Sequence, residues 1–177
     1  IDSEKLPSGD SYRIVLASDI HLGYGTTRSD LSRYVDMINR EQGDVVLIAG
    51  DLIDNSVRPV ATEDMCREFE RIEATDGIYL APGNHEYISN IDSVAQYLRT
   101  TPVRLVRDSV VRLSDNITLI ARDDRSNRHR RSLKELSSEA GEQPLIVVLD
   151  HQPYDIAASD SLGLDLHLSG HTHRGQV

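Results

Sequence analysis

Residues 14–21 read Ile14-Val15-Leu16-Ala17-Ser18-Asp19-Ile20-His21, an apolar run that ends in a carboxylate and an imidazole two positions apart. A short continuous run of this kind is a strand buried on both faces. The pattern returns along the chain. Val45-Val46-Leu47-Ile48-Ala49 ends on Gly50-Asp51, with Asp54 three residues on. Residues 77–81 run into Pro82-Gly83-Asn84-His85-Glu86, residues 145–149 lead to Asp150-His151, and residues 164–168 lead to Gly170-His171-Thr172-His173. Of the seven histidines, those at 21, 85, 151, 171 and 173 all fall in such clusters. This is the layout of a metal site built from loops at strand ends.

Working outward, the strands expected are 12–18, 44–49 and 77–81, alternating with helices over 28–42, 62–74 and 90–99. Helical spacing comes from Leu31, Tyr34, Val35 and Ile38 in the first, from Met65, Cys66, Phe69 and Ile72 in the second, and from Ile91, Val94, Ala95 and Leu98 in the third. Ser29 or Asp30 would cap the first helix and Gly43 would stop it. Alternation of this kind builds a parallel sheet through right-handed crossovers. The second half reads differently. Residues 103–106, 110–113 and 117–121 are closely spaced strands, the last two forming a hairpin. A helix over 132–140 and strands over 145–149 and 164–168 follow. The reading is a second sheet packed on the first, with helices outside, and one domain over 12–177 behind an N-terminal arm or linker over 1–11.

Composition narrows the options. The chain has 177 residues and a formal net charge of −10, a balance that repels nucleic-acid backbones at long range, so no nucleic-acid partner is expected. Cys66 is the only cysteine, which excludes an internal disulfide and a thiolate metal site, and its neighbours make it a buried thiol. No apolar run approaches the ~20 residues of a membrane span, and no signal-peptide pattern is present. The chain begins at Ile1, so it is expected to be a processed or excised piece, with any membrane segment lying upstream.

Carboxylate with imidazole suits divalent Mn, Fe or Zn better than Ca or Mg. In an extended loop, residues i and i+2 point the same way, so Asp19 and His21 can chelate one ion, and His171 with His173 can reach the same cavity. Asp51 has two oxygens and can bridge two ions, while Asn84 offers a neutral carbonyl oxygen. Each cluster alone is weak evidence, since a lone Asp-x-His is more often a surface pair and Gly-Asn-His-Glu alone can be a turn. The conjunction in order is what carries the reading.

That order (Asp-x-His, Gly-Asp-x-x-Asp, Gly-Asn-His-Glu, His, Gly-His-x-His) resembles the calcineurin-like metallophosphoesterase superfamily from about Tyr12 to the last residue. The resemblance implies an α/β fold, a four-layer α/β/β/α sandwich of two packed mixed sheets with helices outside, holding two divalent ions, with Mn favoured. It implies that Asp19, His21, Asp51 and His173 hold the first ion, that Asp51 bridges, and that Asn84, His151 and His171 complete the second. It also implies that His85 protonates the leaving oxygen and that Asp54 orients His85. The function expected is hydrolysis of phosphoesters, diesters favoured, with a metal-bound hydroxide as nucleophile. The alternative is a catalytically weak metal-binding or protein-interaction module on the same fold.

The serine/threonine protein phosphatase branch is disfavoured, because Asn55-Ser56 follow Asp54 and Pro82 precedes Gly83 where that branch has Arg-Gly and Arg. The closing Ser-Gly-His-Thr-His-Arg-Gly-Gln, with Asp123-Asp124 after a strand, is similar to bacterial metallophosphoesterases that follow a membrane anchor, although Gly is common there at the position of Arg174. A lipid-linked or nucleotide phosphoester is the expected substrate, and membrane association is expected to come from a segment upstream of residue 1. Related proteins continue with further strands beyond a point such as Val177. The domain is therefore expected to lack its C-terminal strands, leaving a sheet edge open and His171 and His173 poorly held. Arginines 122, 125, 128, 130 and 131 form a basic loop in an acidic chain, read either as an anion site or as solvated arginines paired with Asp123, Asp124 and Glu135. His167 reads as structural. Tyr24 and Tyr87 flank the metal loops as wall or core.

Overall fold

Five consecutive apolar residues make Val45–Ala49 (β2) a strand buried on both faces, and the alternation of its side chains shows what covers each face. Val46 and Ile48 enter a core beneath helices, whereas Val45, Leu47 and Ala49 enter a core shared with a second sheet. In the computed structural model, which describes residues 5–6 and 11–173, β2 lies between Ile14–Ala17 (β1) and Ile78–Ala81 (β3). Val103–Leu105 (β4) completes this sheet in the order β1-β2-β3-β4, every pair parallel. The second sheet has the order β5-β6-β7-β8, formed by Ser109–Arg112, Ile117–Ala121, Leu145–Leu149 and Leu166–Leu168. Here β5 and β6 are the expected hairpin, and the other pairs are parallel.

Three cores separate four layers. The helix side of the first sheet is covered by Arg28–Arg40 (α1), Val57–Thr62 (α2), the 3-10 helix Met65–Arg71 and Ile91–Leu98 (α4), with Leu31, Val35, Val60, Phe69, Val94 and Leu98 buried. Between the sheets, Leu47, Tyr79 and Ala81 meet Leu119, Ala121, Val147 and Leu149. Beyond the second sheet, Leu133–Ala140 (α5) buries Leu133 and Leu136 against Ile120, Ile146 and Val148. The expected four-layer α/β sandwich is therefore the fold.

Several details differ from the sequence reading. Only the second sheet is mixed, because the chain enters every strand of the first by a crossover, and β4 belongs to the first sheet rather than the second. The helix expected over 62–74 breaks at Asp64, whose φ of 47° is left-handed, and continues as a 3-10 turn. Cys66, Phe69 and Ile72 recur every three residues, which suits three residues per turn. The cap of α1 is Thr27, a little earlier than expected, and the Thr27 backbone N–H donates to the Asp30 carboxylate at 2.9 Å. Two short helices, Asn84–Ile88 (α3) and Ile156–Ser161 (α6), carry no periodicity long enough to read.

Most of the 1–11 arm lies outside the described residues, as does the Arg174–Val177 end; Lys5 pairs with Asp165 at 2.5 Å and Leu6 packs on the inter-sheet core. Among the described residues β1 and β8 are sheet edges, and an apolar groove of about 550 Å³ lined by Leu6, Ile14, Leu16, Leu166 and Leu168 runs between them. Leu119 is fully buried at the centre of the inter-sheet core, so Leu119→Ala is expected to lower the unfolding free energy in urea by about 2–5 kcal/mol. Met37→Ala, on an exposed position of α1, is expected to change it by less than about 0.5 kcal/mol.

Candidate metal centre

Parallel strands place their C-terminal ends on one side of a sheet, and loops at those ends form ligand crevices. The loops after β1, β2, β3, β7 and β8 bring together Asp19 and His21, Asp51 and Asp54, Asn84 and His85, His151, and His171 and His173, respectively. The first two loops continue the pairing of their strands: Asp19 N–H donates to the Gly50 carbonyl at 3.1 Å, and His21 N–H to the Asp51 carbonyl at 2.9 Å. The last two are joined by Gly170 N–H donating to the His151 carbonyl at 3.0 Å.

The backbone is held in an unusual state at these residues. Asp19, His21, Asp51, His171 and His173 all have left-handed φ, at 53°, 51°, 52°, 71° and 49°. Such conformations are rare for residues other than glycine and cluster at functional sites. Gly50, at φ 75°, and Gly83 sit where the chain passes against the side chains: a Cβ on Gly50 would fall 2.5 Å from His151 Nδ1, and one on Gly83 would overlap Asp51 Oδ1.

Two groups of donor atoms emerge, each within 4.8 Å of one another: Asp19, His21 and His173, and Asp51, His151 and His171. In the first, His173 Nε2 is 3.5 Å from Asp19 Oδ1. In the second, His151 Nε2 lies 3.1 Å from Asp51 Oδ2, 3.1 Å from His171 Nδ1 and 3.2 Å from Asn84 Oδ1. His21 Nε2 is 3.9 Å from Asp51 Oδ2, so Asp51, a member of the second group, also faces the first. His151 Nδ1 is bonded to the Ala49 carbonyl at 2.7 Å, which leaves Nε2 facing the cluster.

These residues fit divalent ions. Both ring nitrogens of His21 are buried without a hydrogen-bond partner, and desolvation lowers its pKa, favouring the neutral ligating form. Burial alone would raise the Asp51 carboxyl, but the His151 imidazole and the His85 amide hold it below the usual carboxylate range. Burial likewise opposes protonation of His151, yet Asp51 and the Ala49 carbonyl raise its pKa to about 9, marking a position that attracts positive charge. Three imidazole pairs have ring centroids only 4.6–5.3 Å apart, an arrangement that cations shared among neutral rings would stabilise.

His85 also lies near His21 and Asp51, in a third group of three possible ligands. Its Nδ1 is otherwise engaged, 2.8 Å from the Asp54 carbonyl oxygen and 3.1 Å from Asp54 Oδ1. Asp54 in turn accepts a 2.6 Å bond from the Asn55 amide.

The sequence reading gave Glu86 no role. It is fully buried, and its carboxylate accepts the backbone N–H groups of Asp51 at 2.9 Å, Ile53 at 2.9 Å and Gly83 at 2.7 Å. One carboxylate thus fixes the loop that carries Asp51 and the turn that carries Asn84 and His85. Burial pushes its pKa up to about 7, against the pull of those N–H groups. Its place three residues after Gly83 is the signal that could have found it, because a Glu there closes a capping box on α3. Tyr87 makes a second tie, donating to Asp123 Oδ1 at 2.6 Å while Arg107 pairs with the same carboxylate at 3.0 Å. His167 is structural in its contacts, with Nδ1 2.6 Å from Ser159 Oγ, and Tyr24 is exposed away from any core.

Residues 12–175 match the family model of the calcineurin-like phosphoesterases. The chain belongs to that family. It is 32% identical over 171 residues to an uncharacterized metallophosphoesterase of Helicobacter pylori strain J99, covering 93% of this chain and 45% of that protein. It is 34% identical over 197 residues to a zebrafish (Danio rerio) protein named transmembrane protein with metallophosphoesterase domain, covering all of this chain and 44% of that protein. The chain therefore spans less than half the length of these two relatives. Among solved structures, the 5'-nucleotidase precursor of Thermus thermophilus aligns with a TM-score of 0.61 at 17% identity, over 92% of this chain and 42% of that one. The Haemophilus influenzae NAD nucleotidase aligns at 0.58 and 14% identity, over 92% and 38%. Both share the fold. As a calcineurin-like phosphoesterase the chain is a member of a metal-dependent family, and its His and Asp groups are where divalent ions would be held.

Glu86→Gln places an amide N–H against backbone donors, so it is expected to lower stability by about 1–3 kcal/mol. It is also expected to weaken divalent-ion binding by displacing the Asp51 loop. Thermal denaturation with and without Mn²⁺, and calorimetric titration of the ion, read the two effects separately.

Proposed function

We propose that this domain hydrolyses phosphoesters, with diesters preferred, using two divalent ions of which Mn²⁺ is favoured. Asp19, His21, Asp51 and His173 would hold the first; Asn84, His151 and His171, together with Asp51, would hold the second. Bound there, the ions neutralise phosphate charge and lower the pKa of a coordinated water. Everything else is the work of the chain. Gly83 and Gly50 let the backbone approach closely, Glu86 holds the Asp51 and Asn84 loops in register, and the Asp54 carbonyl and carboxylate hold the His85 ring by Nδ1. That leaves His85 Nε2 to pass a proton to the leaving oxygen. The observation that carries this reading is that Asp51, a member of one ligand group, lies 3.9 Å from His21 of the other, while His85 stands beside them with its Nδ1 already engaged on Asp54.

Membrane attachment of the full-length protein, through a segment outside the chain, is supported by the name of the zebrafish relative. No helix among the described residues is long and apolar enough to cross a membrane. A lipid-linked or nucleotide phosphoester is the substrate class we favour.

Hydrolysis of bis(p-nitrophenyl) phosphate with Mn²⁺ tests the reading. Asp51→Asn is expected to abolish both turnover and the binding of one ion. His85→Asn is expected to keep two ions, counted by metal analysis, while kcat falls about 10²–10⁴-fold. Asp54→Ala is expected to lower kcat by a smaller factor, because the Asp54 carbonyl still holds His85. A chain that binds two ions but turns over no phosphoester would instead be a binding module on the same fold.

A further inference from the structure

The segment after β6, which leaves the sheet at the same end as the His151 loop after the parallel strand β7, gathers arginines around a cavity of about 300 Å³. Arg122, Arg125, Arg128, Arg130 and Arg131 line it, with Asp155. The pairing expected from sequence does not form. Asp123 is taken by Arg107 and Tyr87, Asp124 by the Ser126 amide, and Glu135 by its cap on Ser132. Arg122 is buried and lies 2.8 Å from Asp155 and 3.4 Å from Asp150 instead. Arg130, also nearly buried, pairs with Asp150, and Arg131 pairs with Glu139 at 2.7 Å.

Three arginines thus have three carboxylates, and two arginines are left over. Arg128 is exposed and makes no ion pair or hydrogen bond among the described residues, and Arg125 lies over the ring face of Tyr154 at 4.9 Å, close enough to feel the charge of Asp155 without forming an ion pair with it. The Nε–H groups of Arg122 and Arg130 are buried without an acceptor among the described residues. Buried guanidinium donors without acceptors are costly unless a ligand supplies one. A concave surface lined by five arginines against the single carboxylate of Asp155 is suited to a tetrahedral oxyanion, which guanidinium groups engage through several bonds at once. The net charge of −10 argues against a long polyanion in this place and for a small one.

We propose that this cavity is a second anion site, separate from the metal cluster, that takes a phosphate-class oxyanion as free phosphate, as a soluble phosphate ester or as an anionic lipid headgroup. It does not rest on catalysis at the metal centre. The two are nevertheless mechanically joined, since Asp150, which anchors Arg122 and Arg130, directly precedes His151.

The test is titration of the chain, with Zn²⁺ present, by inorganic phosphate, following the arginine Nε–H signals by NMR so that binding here is resolved from binding at the metals. Millimolar phosphate is expected to shift the Arg122 and Arg130 signals. In the Arg125→Ala, Arg128→Ala double variant, both changes exposed, the affinity is expected to fall about tenfold through loss of charge-assisted bonds. Sedimentation with phosphatidylglycerol vesicles, against phosphatidylcholine, distinguishes the sources. Capture that is lost in the double variant assigns a lipid headgroup. Phosphate binding without capture assigns a soluble phosphate or phosphate ester. Arginine signals that ignore phosphate, together with vesicle behaviour unchanged by the double variant, would overturn the proposal.

Discussion

The bond from His151 Nδ1 to the carbonyl of Ala49, 2.7 Å long and wholly buried, is the joint on which this molecule turns. Ala49 closes β2 in one sheet, and His151 follows β7 in the other. A backbone carbonyl can only accept, so the bond sets which imidazole nitrogen carries hydrogen and which faces Asp51, Asn84 and His171. The inter-sheet core brings the two strand ends together by burying Leu47, Val147 and Leu149, and the bond converts that apolar contact into a fixed ligand orientation. Packing thus supplies proximity, and one hydrogen bond supplies direction.

Around that joint the chain accepts backbone conformations it would otherwise avoid. The left-handed φ of Asp19, His21, Asp51, His171 and His173 persists because the surrounding amides are engaged: His171 N–H donates to the Asp19 carboxylate at 3.0 Å, and Glu86 holds the Asp51 amide. Strain of order 1–3 kcal/mol per residue is sustained by a buried carboxylate and by pairing that continues past the ends of β1 and β2. Aiming two side chains of an Asp-x-His pair into one cavity therefore depends on turns as well as on extended geometry.

The sequence was legible where a signal was repeated. Apolar runs such as Val45–Ala49 and Ile117–Ala121 marked the strands, and the polar clusters at their ends marked the loops that the structure brings together. It was less legible where a partner is main chain or a period is short. Glu86 bonds only to backbone amides, so no residue type elsewhere announces it. The face formed by Cys66, Phe69 and Ile72 is legible, but its spacing fits a 3-10 helix as well as an α-helix, and the left-handed Asp64 decides between them. The partners of Arg122 and Arg130 are Asp150 and Asp155, 20 or more residues along the chain, whereas sequence proximity points to the carboxylates at 123, 124 and 135.

The order of the strands has a consequence for how the molecule comes together. Each sheet is drawn from one uninterrupted half of the chain, residues 14–105 for the first and 109–168 for the second. The candidate ligands ignore that division: Asp19 and His21 belong with His173, and Asp51 with His151 and His171. Contacts of such long sequence separation form late, because loop closure must precede them. An ion shared between the halves would act as a clasp, favouring their docked state over any in which they have parted. The integrity of the whole domain would then track the concentration of free metal around it.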